Sequence, residues 1–472
     1  MTVRPALILN LACGLAGCQA LRTRYVAPPF DVPAAYAHAD ATARASLDRW
    51  WTAFNDPNLD ALVEQALKTN ADLALAALNV RAARLQVHLA VINPTVAAGY
   101  TYEASKPLNG AAPTEQFHSL TASASYGIDL WDQLGAVKDV ARWEARATEE
   151  DRQAAGLSLI GTAVTLYYGI ADASHRLTVG EASLKSAEKT LELVRVLKAA
   201  GGATQVDVAD AEASLATQRV TQAQLVEQRV ELRNALTVAL NGTPWPQAQE
   251  RSAVPNDPPP PVASDLPVSL LHRRPDLRAA ELRLRETLAQ TDATRLSFYP
   301  NLSLTGSLGT ASTGLAEVIS NPLSSVAVAL SAPFIQVNQA HFATQLARTQ
   351  YDESVVRFRK TLLQALYDVD NALSARMQLA TEAGDLELSL EAAQTAERLH
   401  EVRYRAGAES LQLWLAAQEA GRQAELGLSA NRLARLENYA TLCQALGGGM
   451  VASEPVASPH DDRGSFEPRG TR

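Results

Sequence analysis

The chain is 472 residues long, enough for two or three ordinary domains of about 100 to 200 residues each. Apolar residues make up 47% of it but aromatics only 6%, so much of the apolar content is alanine, valine and leucine, which suits long close-packed helices better than compact aromatic cores. A formal net charge of −9 argues against a nucleic-acid binder, which needs a basic footprint.

Met1 to Gly17 reads as a short export signal: Arg4 supplies positive charge, Ala6 to Ala16 form an apolar stretch, and small residues precede Cys18. The stretch is shorter than the about 20 residues a helix needs to cross a bilayer. Further along, Val96, Ala98, Tyr100 and Tyr102 alternate with Thr95, Ala97, Gly99 and Thr101. Leu120, Ala122, Ala124, Tyr126 and Ile128 do the same against Ser119, Thr121, Ser123, Ser125 and Gly127. A period of two predicts two β-strands, each of about 9 to 11 residues, the length that spans a bilayer when tilted.

No proline occurs from Thr114 to Thr243 or from Phe334 to Glu454. An interior proline costs a helix about 3 kcal/mol, so both stretches are free to form long helices. The first is expected from about Gln133 to Ala200, although Gly156, Gly161, Gly169 and Gly180 weaken its continuity. Pro244, Pro246, Pro255 and the run Pro258 to Pro261 make 243–264 a semi-rigid connector. In the second half, Leu302, Leu304 and Leu308 alternate with Asn301, Ser303, Thr305 and Ser307, and Val326, Val328 and Leu330 with Ser325, Ala327 and Ala329. Tyr351, Val355, Phe358, Leu362, Ala365, Val369 and Ala372 then trace a heptad seam within a helix from about Gln339 to Tyr404, on the order of 100 Å long.

The two halves look like copies. Gly202 and Gly407, and again Gly242 and Gly447, are separated by the same 205 residues. Each pair is expected to close helices by adopting the left-handed conformation. Each half is therefore read as two strands followed by two antiparallel helices.

Four strands cannot seal themselves in lipid, because unpaired edge groups in hydrocarbon cost several kcal/mol each and the smallest single-chain barrels have about eight strands. The chain must pool strands with copies of itself, and three copies give twelve. A water-exposed pair of hairpins capping a coiled coil is the alternative. The eight histidines are scattered, and Cys13, Cys18 and Cys443 offer neither a disulfide framework in the body of the chain nor zinc spacing. No nucleophile, base and orienting group can be assembled from motif spacing, so no catalytic site, metal or cofactor is expected.

Several motifs, weak singly, occur together and in order. Leu15-Ala16-Gly17-Cys18 resembles a bacterial lipobox, and Gln19 after it favours the outer membrane. Trp50-Trp51, Phe54, Asp56-Pro57, Leu62-Val63-Glu64 and Asn70 follow, then Ile128-Asp129-Leu130-Trp131 after the second strand. Leu270 to Glu281 opens the second repeat, Phe298-Tyr299-Pro300 precedes the third strand, and Arg403-Tyr404-Arg405-Ala406-Gly407 marks the hinge. With these the chain resembles the outer-membrane efflux channels of the TolC type, in their lipoprotein (NodT-like) branch, over almost the whole mature length.

The resemblance implies an α+β membrane protein: long antiparallel α-helical hairpins forming an α-barrel, plus four transmembrane β-strands per protomer of a trimeric twelve-stranded β-barrel. It implies a signal peptide at 1–17, acylation of Cys18, and an N-terminal segment with equatorial helices at 18–93. A first β-hairpin at 94–130 and a first long helical pair at 131–242 precede the linker, with equatorial helices at 265–297 after it. A second hairpin at 298–335, a second helical pair at 336–447 and a disordered tail at 448–472 complete the chain. The implied function is a passive exit duct for drugs, metals or other small molecules, not an enzyme. A homotrimer anchored in outer-membrane lipid and extending into the periplasm would work with a periplasmic adaptor and an inner-membrane pump. The exit duct of a protein-secretion system and a pore-less envelope lipoprotein are the alternatives.

Two departures stand out. Gln336-Val337-Asn338-Gln339 replaces the glycine-rich turn the family commonly carries after the fourth strand. Leu413 and Ala416 occupy the second-half positions where pore-facing aspartates are common, whereas the first half has Asp207 and Asp210. Three residues apart on a helix, these two aspartates share a face, and threefold symmetry would make them rings of like charge at a pore constriction. An ordinary solvated helix face is the alternative.

Overall fold

The computed structural model describes residues 21–30, 32–38, 48–90, 92–106, 114–262, 269–313, 322–331 and 333–448. The signal segment 1–17, Cys18, the last two residues of the linker and the tail beyond Gly448 lie outside them. In chain order the main elements are α1 (Pro57–Thr69), α2 (Ala71–Leu89), β1 (Thr95–Ser105), β2 (Glu115–Ile128), α3 (Gln133–Ala199) and α4 (Gln205–Ala239). The second half repeats the plan with α5 (Pro275–Leu296), β3 (Asn301–Ser312), β4 (Pro322–Ser331), α6 (Val337–Arg405) and α7 (Leu411–Ala445).

The chain divides into two compact units. The first is built from Met1–Val32, Ala74–Arg152 and Pro275–Gln364 and holds the sheet. Its four strands pair antiparallel in the order β1-β2-β3-β4. β2 runs for 14 residues and β3 for 12, longer than the alternation alone predicts, because Glu115 to His118 and Thr310 to Ser312 keep pairing after the apolar run ends. Two of the motifs hold the strand–helix junctions. Asp129 accepts from the Gln133 and Gly135 backbone N–H groups at 2.8 and 3.1 Å, starting α3, and the Trp131 indole donates to the Pro300 carbonyl at 2.8 Å beside Tyr299. The unusual Gln336 to Gln339 segment gives no glycine turn; a short 3-10 turn, Pro333–Ile335, leads straight into α6.

The second unit is built from Pro33–Leu73, Gln153–Arg274 and Ala365–Arg472. Asp56 caps α1 by accepting from Asn58 and Leu59 N–H, Pro57 starts the helix where a missing N–H is harmless, and Leu59, Leu62, Val63 and Ala66 form its buried stripe. The Asp56 carboxylate also takes hydrogen bonds from Tyr167 and Arg251, both at 3.0 Å, so the cap ties three segments together. Despite Gly156, Gly161, Gly169 and Gly180, α3 is continuous over 67 residues. At Gly161 a Cβ would collide with the Gln444 side chain, which lies against the helix and donates to the Leu157 carbonyl at 3.0 Å. One stretch of α3 is apolar and long enough to cross a membrane by composition, but 56% of it is buried within the protein, as in a core helix.

The heptad seam lies where its period predicts, on one stripe of the 69-residue α6: Phe358, Leu362, Ala365, Val369 and Ala372 are buried, and Tyr351 and Val355 half-buried.

Candidate functional site

The sheet has two unlike faces. Because cross-strand partners share a face, the register places Tyr100 opposite Leu120, Tyr126 opposite Leu304, Leu304 opposite Val328 and Leu302 opposite Leu330. On the other face Thr101 meets Ser119, Ser125 meets Thr305 and Ser307 meets Ser325. The hydroxyls pair across strands, Ser125 with Thr305 at 2.9 Å and Ser307 with Ser325 at 2.6 Å.

The apolar face is uncovered within one chain. Val96 is 78% exposed and Val326 80%, with Leu308, Val328 and Leu330 nearly as open. A continuous apolar face of this size marks contact with protein or lipid. Toward the loop end it is bordered by Tyr100, Tyr102 and His118, the Tyr100 hydroxyl and His118 Nδ1 being 2.7 Å apart. Amphipathic aromatics suit the boundary between apolar and wet surroundings. Among the described residues, β1 and β4 each pair on one side only.

At the far ends of the long helices the two halves adopt the same turn. The Gly202 N–H donates to the Leu197 carbonyl at 2.8 Å and the Gly201 N–H to Lys198 at 3.0 Å; Ala408 and Gly407 repeat this on Arg403 and Tyr404, each at 2.9 Å. The left-handed residues are Gly201 and Gly407, with φ of 79° and 73°. This corrects the pairing expected from sequence: Gly201, not Gly202, corresponds to Gly407, and the interval is 206 residues. The closing turns of α4 and α7 agree, since Asn241 and Gly447 occupy the equivalent left-handed positions and Gly242 corresponds to Gly448. The coincidence of glycines one residue apart had hidden the true register.

The same interval pairs Asp207 with Leu413 and Asp210 with Ala416. Thr204 and Asp207 form a capping box at the start of α4, and hydrogen bonds from the Thr204 hydroxyl and backbone N–H hold the Asp207 carboxyl below its usual range. Asp210 is exposed and carries no hydrogen bond or ion pair among the described residues. Leu413 and Ala416 are exposed as well. Beneath them Leu191, Val194, Val208, Leu215, Leu411 and Trp414 form a buried cluster, with Tyr404 stacked on Trp414 at 5.3 Å.

Ser410 makes no side-chain cap for α7. The second turn is instead pinned by the Glu409 carboxylate, which meets His400 Nδ1 at 2.8 Å and Arg403 Nε at 3.7 Å. Sequence reading missed both devices. Thr204 and Asp207 carry a local signal, a hydroxyl three residues ahead of a carboxylate, but His400 and Glu409 meet only because the chain turns back.

Cys18 lies outside the described residues, but Leu21 to Thr23 are firmly held. Arg22 pairs with Asp132 at 3.0 Å and Asp139 at 2.6 Å, the Thr23 N–H and hydroxyl donate to Asp292 at 2.7 and 2.8 Å, and Leu21 packs against the buried cluster of Ala136, Ala293 and Leu296, which Trp131 and Tyr299 also join. Leu21 is thus fixed beside the first turn of α3 and the last turns of α5, the helix ends that adjoin β2 and β3.

A sheet with an apolar and a hydroxyl-lined face, joined to helices of 67 and 69 residues, defines a class of channel-forming outer-membrane proteins. Residues 62–242 and 266–448 match the outer membrane efflux protein family, and the chain belongs to it. It is 30% identical to the pyoverdine export outer membrane protein OpmQ of Pseudomonas putida over 466 residues, covering 95% of this chain and 98% of that protein. It is 28% identical to the antibiotic efflux pump outer membrane protein ArpC of Pseudomonas putida, covering 92% and 93%. Among solved structures, the outer-membrane channel OprN superposes with a TM-score of 0.77 at 25% identity, over 90% of this chain and 99% of that one. The open state of the Neisseria gonorrhoeae MtrE channel does so with 0.77 at 27%, over 91% and 98%.

The protein is therefore a TolC-type outer-membrane channel component of an efflux system, a passive conduit and not an enzyme. Channels of this family are homotrimers that extend from the outer membrane into the periplasm and work with an adaptor and an inner-membrane pump.

Proposed function

We propose that this chain forms the exit duct for small molecules in a tripartite system, three copies closing their sheets into one twelve-stranded barrel. The observation that carries this is the four-stranded sheet with unlike faces and two unpaired edges: in lipid those edges must be filled, and rotational copies fill them with β1 against β4. Export of pyoverdine, antibiotics and toluene by relatives supports small-molecule cargo. Planar-bilayer recording of the protein purified in detergent tests the reading. Trimers that conduct once the helical tips are loosened support it; a monomeric protein, or trimers without current in every tip variant, would overturn it.

The same reading includes a lipid anchor on Cys18 as the new N-terminus. Its support is the clamp on Leu21 to Thr23, which holds the chain three residues beyond Cys18 next to the ends of the barrel strands, within reach of a membrane surface. Acyl chains would add about 0.8 kcal/mol per buried methylene. Mass spectrometry of the N-terminal peptide checks this: acylation that persists in Cys18→Ser refutes the assignment.

At the tips, Asp207 and Asp210 are the candidates for a pore constriction, and the free carboxylate of Asp210 makes it the stronger contributor to cation preference. Unchanged ion selectivity in Asp207→Asn plus Asp210→Asn rules the ring out.

A further inference from the structure

In the unit that holds the sheet, the helices lie side by side in the order α2-α3-α5-α6. The Arg84 guanidinium of α2 meets Glu149 of α3 at 3.3 Å, and Asp151 of α3 meets Arg283 of α5 at 3.2 Å. The Thr291 hydroxyl of α5 donates to the Ala347 carbonyl of α6 at 3.1 Å. The row therefore ends on α2 and α6, as the sheet ends on β1 and β4, and each end helix carries an open stripe. On α2, Leu75, Leu78, Ala82, Leu85 and Leu89 are exposed, whereas Val80 and Ala83 are buried. On α6, Phe342, Leu346, Thr349, Glu353 and Val356 are exposed, apart from the buried seam at Phe358 and Leu362.

The two stripes match in spacing over their full length when the helices run in opposite directions. From Leu75 to Leu89 the steps on α2 are 3, 4, 3 and 4, and from Val356 back to Phe342 the steps on α6 are the same. Alternating threes and fours make a coiled-coil seam. Laid antiparallel, Leu75 meets Val356, Leu85 meets Leu346 and Leu89 meets Phe342, with Leu78 and Ala82 on Glu353 and Thr349. Neither polar residue opposes this: the Thr349 hydroxyl is satisfied by the Gln345 carbonyl at 3.0 Å, and Glu353, its side chain 60% exposed, leans along its own helix to Arg357 at 3.8 Å. Beside the seam the same register sets Arg81 against Asp352, two exposed and opposite charges that make no ion pair within one chain among the described residues. Charges flanking such a seam choose partner and orientation. The sheet supplies the direction. Leu89 stands six residues before Thr95 of β1, and Val337 six residues after Ser331 of β4. Joining β1 to the β4 of a neighbouring copy thus brings α2, running toward the barrel, beside α6, running away from it.

We propose that α2 of one copy packs antiparallel on α6 of the next in this register, so that the subunit seam of the barrel continues into the helical wall. The inference rests on the three-copy duct argued above. In the test, full-length protein carrying Leu85→Cys and Leu346→Cys is oxidised in detergent and run on a denaturing gel. Each single variant and the off-register pair Leu85→Cys plus Val356→Cys run beside it, Val356 lying ten residues, or about 15 Å, along α6 from Leu346. The matched pair is expected to give a covalent trimer, the single variants and the off-register pair monomers. If light scattering finds a trimer but the matched pair stays unlinked, or links no better than the off-register pair, the proposal is overturned and the duct reading stands. A wild-type protein that is monomeric overturns both. Should the cysteines disturb assembly, Arg81→Asp is expected to lower the temperature at which the trimer dissociates on the gel, and Asp352→Arg added to it to raise that temperature again. No recovery in the double variant overturns the proposal.

Discussion

Thr204 and Asp207 exchange hydrogen bonds across the first turn of α4: the Asp207 N–H donates to Thr204 Oγ1 at 3.2 Å, and the Thr204 N–H donates to Asp207 Oδ2 at 2.6 Å. The Thr204 hydroxyl donates to the same oxygen at 2.7 Å. Thr204→Val is expected to cost about 1 kcal/mol at neutral pH, the usual loss for an N-cap. Because these bonds lower the folded-state pKa of Asp207, their stabilisation is present above the ordinary carboxylate value of about 3.9 and is lost as pH falls through the lower folded value. Thermal melts of wild type and variant are expected to differ at pH 7 and to draw closer in strong acid, where the Asp207 N–H to Thr204 Oγ1 bond still separates them. A gap that does not narrow in acid would mean that the carboxylate takes no part.

Neighbouring positions on β4 face opposite ways, since Val328 pairs with Leu304 and Ala327 with Thr305. Val328→Arg is expected to cost about 2 to 4 kcal/mol near the middle of the bilayer and to abolish the detergent-resistant oligomer. Ala327→Arg is expected to leave the oligomer intact and to change single-channel current. Gel migration and bilayer recording check the pair together.

Gly407 and Gly447 share a φ of 73° but not their surroundings. A Cβ on Gly407 meets open space, so Gly407→Ala carries only the left-handed penalty, about 1 to 2 kcal/mol. A Cβ on Gly447 would stand 2.7 Å from the Arg273 carbonyl carbon and 2.9 Å from the Arg274 nitrogen, so Gly447→Ala must displace backbone and is expected to cost more, on the order of 3 kcal/mol. Asparagine already fills a left-handed turn at Asn241, and Gly407→Asn is expected to be milder than Gly407→Ala. Denaturant unfolding gives the order.

Asp292, 3% exposed, holds the strap after Cys18 by accepting from the Thr23 N–H and hydroxyl while pairing with Arg295 at 2.8 Å. Asp292→Ala removes all three partners' acceptor at once and is expected to cost about 3 kcal/mol, as when one member of a buried ion pair is deleted. Limited proteolysis within residues 21–30 is expected to quicken. Unchanged cleavage would show that the strap is held elsewhere.

Much of the architecture was legible because it repeats locally. Alternation through Leu120 to Ile128 and Val326 to Leu330 marks strands whose two faces meet different solvents, and the 4-3 spacing from Tyr351 to Ala372 marks one buried stripe. Neither needs knowledge of what lies opposite. The glycine pairing failed for a physical reason: a left-handed turn accepts asparagine as well as glycine, so Asn241 stands where the other half has Gly447, and residue identity tracked the repeat one position out of step.

The tips show the same boundary. That Asp207 and Asp210 share a helix face follows from the helical period, but only the folded turn commits the Asp207 carboxylate to Thr204 and leaves that of Asp210 free. His400 and Glu409, Arg22 and Asp139, and Tyr167 and Asp56 meet through chain reversals or across long intervals.

The amino-acid sequence alone determined the periodic features, strands and long helices, because amphipathicity is set by each residue's own side chain and its nearest neighbours. Tertiary structure decided the register of the repeats, the strap at the strand ends and the tie from Asp56 to Tyr167 and Arg251, because each depends on which distant groups are brought within hydrogen-bond distance.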